Sequence, residues 1–159
     1  MSFRKLYCHF ENYIVISTEV EKSQIFDPLR KKHVALTPEE GVRQWFIGIL
    51  HEDCGYPYHL MRSEVAFRFG EDVGGLSGAS RKLYRADVVV YEPGTLKPFI
   101  IVECKRPEVD ITSDAALQAL RYISVLEAPW VVLTNGTKTY VFHRSDNTYI
   151  PEKTLPHYK

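Results

Sequence analysis

Nothing in the chain approaches the about 20 consecutive apolar residues that a membrane-spanning helix requires. The opening residues, "MSFRKLYCHFENY", also lack the apolar centre of a secretory signal. A cytoplasmic protein with no membrane partner is the expectation. Cysteine is nearly as scarce: Cys8, Cys54 and Cys104 are odd in number, widely spaced and form no C-x-x-C pair. That argues against both a disulfide framework and a cysteine zinc site. The histidines show no i, i+4 pairing, so no histidine metal site is expected. An excess of one charge is missing too. Lys plus Arg number 20 and Asp plus Glu number 20, so any role with a polyanion must rest on local patches. There is no internal repeat and no low-complexity segment.

What is present is an ordinary globular composition over 159 residues, enough for one domain with a real core. Val, Ile, Tyr and Phe around a polar centre in "ENYIVISTEVEKSQIFD", Glu11 to Asp27, predict an N-terminal β-hairpin. Thr37 as N-cap, Pro38 in the first turn and the acids Glu39 and Glu40 predict a helix to about Asp53, which Gly55 and Pro57 terminate. Strands follow at about Tyr58 to Phe69, Tyr84 to Tyr91 and Pro98 to Cys104, with the Gly/Ser loop "GEDVGGLSGAS" after the first of them. A second helix is predicted over about Thr112 to Glu127. Short strands at Trp130 to Thr134 and Thr139 to His143 flank the hairpin dipeptide Asn135-Gly136. The order points to an α/β fold, a central mixed β-sheet flanked by α-helices. Residues 1–27 read as an N-terminal β extension, 28–143 as the core and 144–159 as a peripheral tail.

The chemistry concentrates in "IIVECKRP", Ile100 to Pro107. In a strand, residues two apart share a face, so Glu103 and Lys105 emerge together and Cys104 points away. Pairing about the centre of "EPGTLK" sets Asp87 opposite Glu103, with side chains about 5 Å apart. Two carboxylates at interior positions must share a proton or hold a cation. A hard divalent ion such as Mg²⁺ fits, bound by Asp87, Glu103 and the backbone carbonyl of Cys104. Lys105, with a pKa lowered by partial burial, would orient or deprotonate a water for attack on a phosphodiester. Helical phase puts Glu39 inside the apolar arc of Val42, Trp45, Phe46, Ile49 and Leu50, and Glu40 at its edge. Either acid can complete the site, and phase favours Glu39. On the second helix, Gln118 and Tyr122 are four apart on a face shared with Ala115, Val125 and Leu126, and an inward amide needs a partner.

"RADVVVYEPGTLKPFIIVECKRP" resembles the D…E-x-K hairpin of the PD-(D/E)XK nuclease superfamily. With "TPEEGVRQWF", "ALQALRY" and "VLTNG" around it, the chain from about Phe26 to Phe142 is similar to the N-terminal nuclease domain of type I restriction enzyme R subunits. The resemblance implies a restriction-endonuclease-like fold and DNA cleavage dependent on Mg²⁺ or Mn²⁺. Asp87 and Glu103 match the metal ligands, Lys105 the catalytic lysine, Gln118 and Tyr122 the Q-x-x-x-Y element, and Glu39 or Glu40 the helix acid. Those R subunits continue into an ATP-driven motor, whereas this sequence has no G-x-x-x-x-G-K-[ST] loop. It is therefore expected to act alone, as a homodimer or beside other restriction-system subunits. The basic clusters "RKKH", Arg30 to His33, and Arg81, Lys82 and Arg85 read first as solvated surface. The second lies just before the Asp87 strand and is a candidate phosphate contact. Two functions fit: a metal-dependent DNA endonuclease, or a catalytically silent nucleic-acid-binding or assembly module. Intact Asp, Glu and Lys favour the enzyme, because a binding module has no use for two acids beside a polyanion.

Overall fold

The computed structural model describes residues 23–69 and 82–159. Strands β1 (Gln24–Asp27) and β2 (Lys32–Ala35) form a two-stranded hairpin. The expected hairpin over Glu11 to Asp27 is corrected on this point: Gln24 to Asp27 pair forward with β2, and the upstream half lies outside the described residues. Helix α1 (Pro38–Gly48) follows and runs on through a π-helical turn, Ile49–Asp53. Thr37 caps it as the sequence predicts, its hydroxyl accepting the Glu40 N–H at 3.1 Å. After a 3₁₀ turn (Tyr58–Leu60) come β3 (Met61–Phe69), β4 (Lys82–Tyr91) and β5 (Pro98–Cys104). Helix α2 (Ser113–Ile123) extends into a 3₁₀ turn (Ser124–Leu126) and leads to β6 (Trp130–Thr134), β7 (Thr139–Ser145) and β8 (Thr148–Glu152).

The main sheet has strand order β3-β4-β5-β6-β7-β8. Every pairing is antiparallel except β5 with β6, the step that α2 crosses. This is the mixed, helix-flanked α/β sheet expected from the sequence. Core side chains divide between its faces. Val42, Trp45 and Phe46 of α1, with Leu50 of the π-helical turn, pack with Val88, Val90, Ile100, Val102 and Val132. Ala116, Leu120 and Ile123 of α2 pack with Val89, Ile101, Val131 and Leu133. Burying an aliphatic side chain of this size contributes about 1.5–3 kcal/mol, so each helix is held by its apolar stripe. Among the described residues no helix is long and apolar enough to cross a membrane.

Two further expectations change. Asn135-Gly136 is not a two-residue hairpin. Thr134 pairs with Thr139, leaving four residues in the loop. Asn135 Oδ1 accepts the N–H groups of Thr137 and Lys138 at 3.0 and 2.7 Å, which stabilises the longer turn. Nor is the tail peripheral. Residues 148–152 form the edge strand β8, Leu155 is buried with the α1 cluster, and the Tyr158 N–H donates to the Cys54 carbonyl at 2.8 Å. A polar, Pro-containing stretch resembles a loop in composition, yet an edge strand has one side open to solvent and tolerates both features.

Sheet alternation inverts at one rung. Met61, Val88 and Val90 belong to the α1 side, whereas Val65, Phe67, Tyr84 and Ala86 belong to the α2 side. The β3–β4 ladder pairs Ser63 with Val88 and then Val65 with Ala86, and skips Glu64 and Asp87 between them. Glu64 takes a left-handed backbone, φ 54°, which is strained for a non-glycine residue. At the same rung Asp87 turns toward α1, where it pairs with Arg43.

Candidate functional site

β4 and β5 pair from Tyr91↔Pro98, past a register shift after Val90, to Val88↔Val102, where the ladder stops. One more step in the same register would set Asp87 opposite Glu103, as the sequence predicts, but the ladder ends there and Asp87 bonds elsewhere. Its Oδ2 accepts the backbone N–H of Cys104 at 2.6 Å, and its Oδ1 accepts Arg43 Nη2 at 2.7 Å. The first bond ties the β4 acid to the residue between Glu103 and Lys105. Lys105 is held at its backbone too, where its N–H donates to the Thr134 carbonyl at 2.8 Å and prolongs the β5–β6 ladder by one residue. The "TNG" segment is thus structural: Thr134 anchors Lys105, and Asn135 Nδ2 holds the Val109 carbonyl at 2.9 Å.

Glu103 is enclosed by donors. Lys105 Nζ reaches Oε1 at 2.7 Å and the Tyr84 hydroxyl reaches Oε2 at 2.8 Å. Burial pushes the Glu103 carboxyl above its ordinary pKa and the charge of Asp87 pushes it further, against the pull of Lys105 and Tyr84. The charge of Asp87 thus acts on Glu103. Lys105 is a correction. Burial alone would lower its pKa, but the hydrogen bond to Glu103 and the charges of Glu103, Asp87 and Glu39 outweigh that and raise it. In this state Lys105 is a firmly protonated donor, not a base. The Cys104 thiol, fully buried and beside Asp87, is pushed well above its usual range and is inert.

The two helix acids have different jobs. Glu39 lies close enough for its charge to act on both Lys105 and Cys104. Glu40 is buried and turned into an ion-pair chain. Its Oε2 accepts Arg43 Nη1 at 2.5 Å, and its Oε1 accepts Gln44 Nε2 at 2.8 Å and Arg30 Nη2 at 2.5 Å. Arg30 also pairs with Asp27 through Nε and with Glu64 at 3.0 Å. The charges thus alternate from Asp27 through Arg30, Glu40 and Arg43 to Asp87. "RKKH" is not simply solvated surface, since its Arg30 joins three acids.

Arg43 and Tyr84 were not singled out from the sequence, and Arg30 only as part of a basic surface stretch. A signal existed for Arg43: it stands three residues after Glu40 and three before Phe46 on the helix, inside the stretch that packs on the sheet. The contacts of Arg30 with Glu40 and Glu64, and that of Tyr84 with Glu103, span distant segments and have no local signature.

Other expected site residues do not converge. Gln118 is exposed and makes no hydrogen bond to Asp87, Glu103 or Lys105 among the described residues. The α2 core face is Ala116, Leu120 and Ile123, and Val125 is 60% exposed, so the expected inward face through Ala115 and Val125 is corrected. A one-residue error in helical phase, about 100°, accounts for it. The side chains of Tyr122 and Lys82, and all of Arg81, lie outside the described residues. Arg85 is exposed on β4.

The donor chemistry at Asp87 and Glu103 is all oxygen, which suits a hard divalent ion. Among the described residues, Asp27, Glu39, Glu40, Glu64, Asp87 and Glu103 outnumber Arg30, Arg43 and Lys105 along these contacts, a balance that favours a further cation. Among the described residues no three His, Cys, Asp or Glu side chains form a ready metal cage. Two carboxylates, with waters or substrate oxygens completing the shell, are a donor set that Mg²⁺ accepts. The residues therefore fit such an ion.

Fold and site together define an α/β protein whose mixed sheet presents two acids and a lysine where β4 and β5 part. The family model described as type I restriction enzyme R protein N terminus (HSDR_N) matches residues 38–156, and the chain belongs to that family. No curated protein matches it.

Proposed function

We propose that the chain is the nuclease module of a restriction system, hydrolysing DNA phosphodiester bonds with a divalent cation in the manner of the PD-(D/E)XK superfamily. Asp87 and Glu103 would hold Mg²⁺ or Mn²⁺, aided by the backbone carbonyl of Cys104. Such an ion, when bound, supplies Lewis acidity and makes a coordinated water a better nucleophile. The Cys104 N–H fixes the Asp87 carboxylate. Protonated Lys105 donates to Glu103 at rest and, within the same short reach, to an attacking water or a phosphate oxygen, where a positive charge counters the charge that develops. Glu103 above all, with the charges of Asp87 and Glu39 behind it, keeps Lys105 protonated. DNA is the expected substrate, and other restriction-system subunits or a second copy are the expected partners.

The observation that carries this proposal is the 2.6 Å bond from Cys104 N–H to Asp87 Oδ2, which joins the acid of one strand to the E-x-K of the next. Supercoiled plasmid and single-stranded DNA incubated with Mg²⁺ or Mn²⁺, beside EDTA and Lys105→Ala controls, test it. Cleavage that disappears in both controls is expected. Cleavage that survives Lys105→Ala overturns the mechanism.

A second function, a silent nucleic-acid-binding or assembly module, draws on one observation: both Asp87 oxygens already have donors. DNA binding without cleavage under every metal condition would select it.

A further inference from the structure

We propose that Arg43 is a gate on the cation site: its guanidinium occupies Asp87 until a divalent ion displaces it toward Glu40. The inference rests on the metal-dependent proposal for the same site and concerns how that site is controlled.

Each acid of the pair carries its own internal cation, Arg43 on Asp87 and Lys105 on Glu103. The two differ in freedom. The Lys105 side chain is 41% exposed, so it can swing into water when an ion arrives, whereas the Arg43 side chain is 8% exposed and cannot. An ion at Asp87 must therefore share a carboxylate with a buried guanidinium, or move it. Sharing is disfavoured, since two cations on one carboxylate repel at contact distance in a weakly screened interior. Nor is Arg43 needed to orient Asp87, because Cys104 N–H already fixes the other oxygen at 2.6 Å.

The geometry supplies a place to go. Arg43 Nη1 is bonded to Glu40 at 2.5 Å, and Glu40 is itself braced by Arg30 and Gln44. A guanidinium that releases Asp87 keeps a buried counter-charge. Among the described residues its Nε is buried without a hydrogen-bond partner, so a small rotation breaks no bond at that atom, and the donors of a planar guanidinium can be shared anew.

Mn²⁺ affinity of the full chain, measured by the loss of the free-ion electron paramagnetic resonance signal, tests the gate without reference to cleavage. Arg43→Gln removes the charge and is expected to bind Mn²⁺ about tenfold more tightly or better, equivalent to about 1.4 kcal/mol. Arg43→Lys keeps a cation and is expected to stay within about threefold of the wild type. In the wild type, the Arg43 side-chain ¹⁵N signals are expected to shift in step with Mg²⁺ titration, which decides the matter even if Arg43→Gln does not fold. A wild type that binds Mn²⁺ while Arg43→Gln binds no more tightly overturns the gate and leaves the nuclease proposal standing. Arg43 signals unmoved at saturating Mg²⁺ do the same. A wild type that binds no Mn²⁺ overturns both.

Discussion

The Tyr84 hydroxyl donates to Glu103 Oε2 across 2.8 Å, from a tyrosine on the α2 side of β4 to the acid at the end of β5. With Lys105 on the other oxygen, Glu103 has a donor on each side. Burial, with the nearby Glu103 and Asp87 charges, holds the Tyr84 phenol far above its ordinary pKa, so it stays a donor. Tyr84→Phe is expected to raise the Glu103 pKa further and to lower stability by about 1.5–3 kcal/mol, the range for a hydrogen bond to a charged group. Carboxyl ¹³C NMR and urea unfolding measure the two effects. An unchanged Glu103 titration would remove Tyr84 from the site.

The pH dependence of stability follows from the same carboxyl. Its pKa in the folded chain lies above 4.5, chiefly because of burial and Asp87. Between 4.5 and the folded value the native state binds more protons than the unfolded one, so this group's contribution to stability declines as pH rises through that window. Glu103→Gln, which cannot ionise, is expected to melt higher than the wild type at about pH 8 and to lose that advantage at about pH 4. A difference independent of pH rules the linkage out.

Lys105 is expected to act on the chemical step. Lys105→Ala should reduce Mg²⁺-dependent plasmid cleavage by about 10²–10³, the loss typical of removing one positioned electrostatic stabiliser. DNA affinity in a gel-shift assay should change little. Equal losses in both would mark Lys105 as a binding group.

For the basic cluster, Arg81, Lys82 and Arg85 changed together to Ala should weaken DNA binding. The log–log salt slope should fall by up to about 3, roughly 0.9 for each phosphate that is no longer neutralised. Mn²⁺ binding should be unaffected. An unaltered slope removes the cluster from the interface.

Leu155 provides a test of the C-terminal segment. Buried with the α1 cluster, it is expected to cost about 2–4 kcal/mol on change to Ala. A surface tail would show no such loss in urea unfolding.

Much of this arrangement is written in local sequence. Thr37 and Pro38 announce α1, and Pro98 to Cys104 and Trp130 to Thr134 announce strands with the bounds observed, because caps and β-branched runs act within a few residues. The Glu103–Lys105 pair was legible for the same reason: strand alternation sets the two on one face, and they meet at 2.7 Å. The phase inversion at Glu64 was not, since a left-handed residue without glycine gives no compositional sign. The reach of Arg30 to Glu40 and Glu64 was hidden because they lie 10 and 34 residues away. The edge strand β8 was hidden because Thr148 to Glu152 derives its order from β7, not from its own propensity.

The rung at Glu64 and Asp87 also divides the sheet into two territories with different tolerance to change. On one side, Met61, Val88 and Val90 are locked into the α1 core, and a change of volume there is felt throughout the domain. Beyond it, Ala66, Arg68, Leu83 and Arg85 are exposed on the paired ribbon. Substitutions on that outer face can alter what the ribbon meets while the acid at the boundary keeps its bonds to Cys104 and Arg43. The inversion insulates the acid from sequence drift in the strand that carries it.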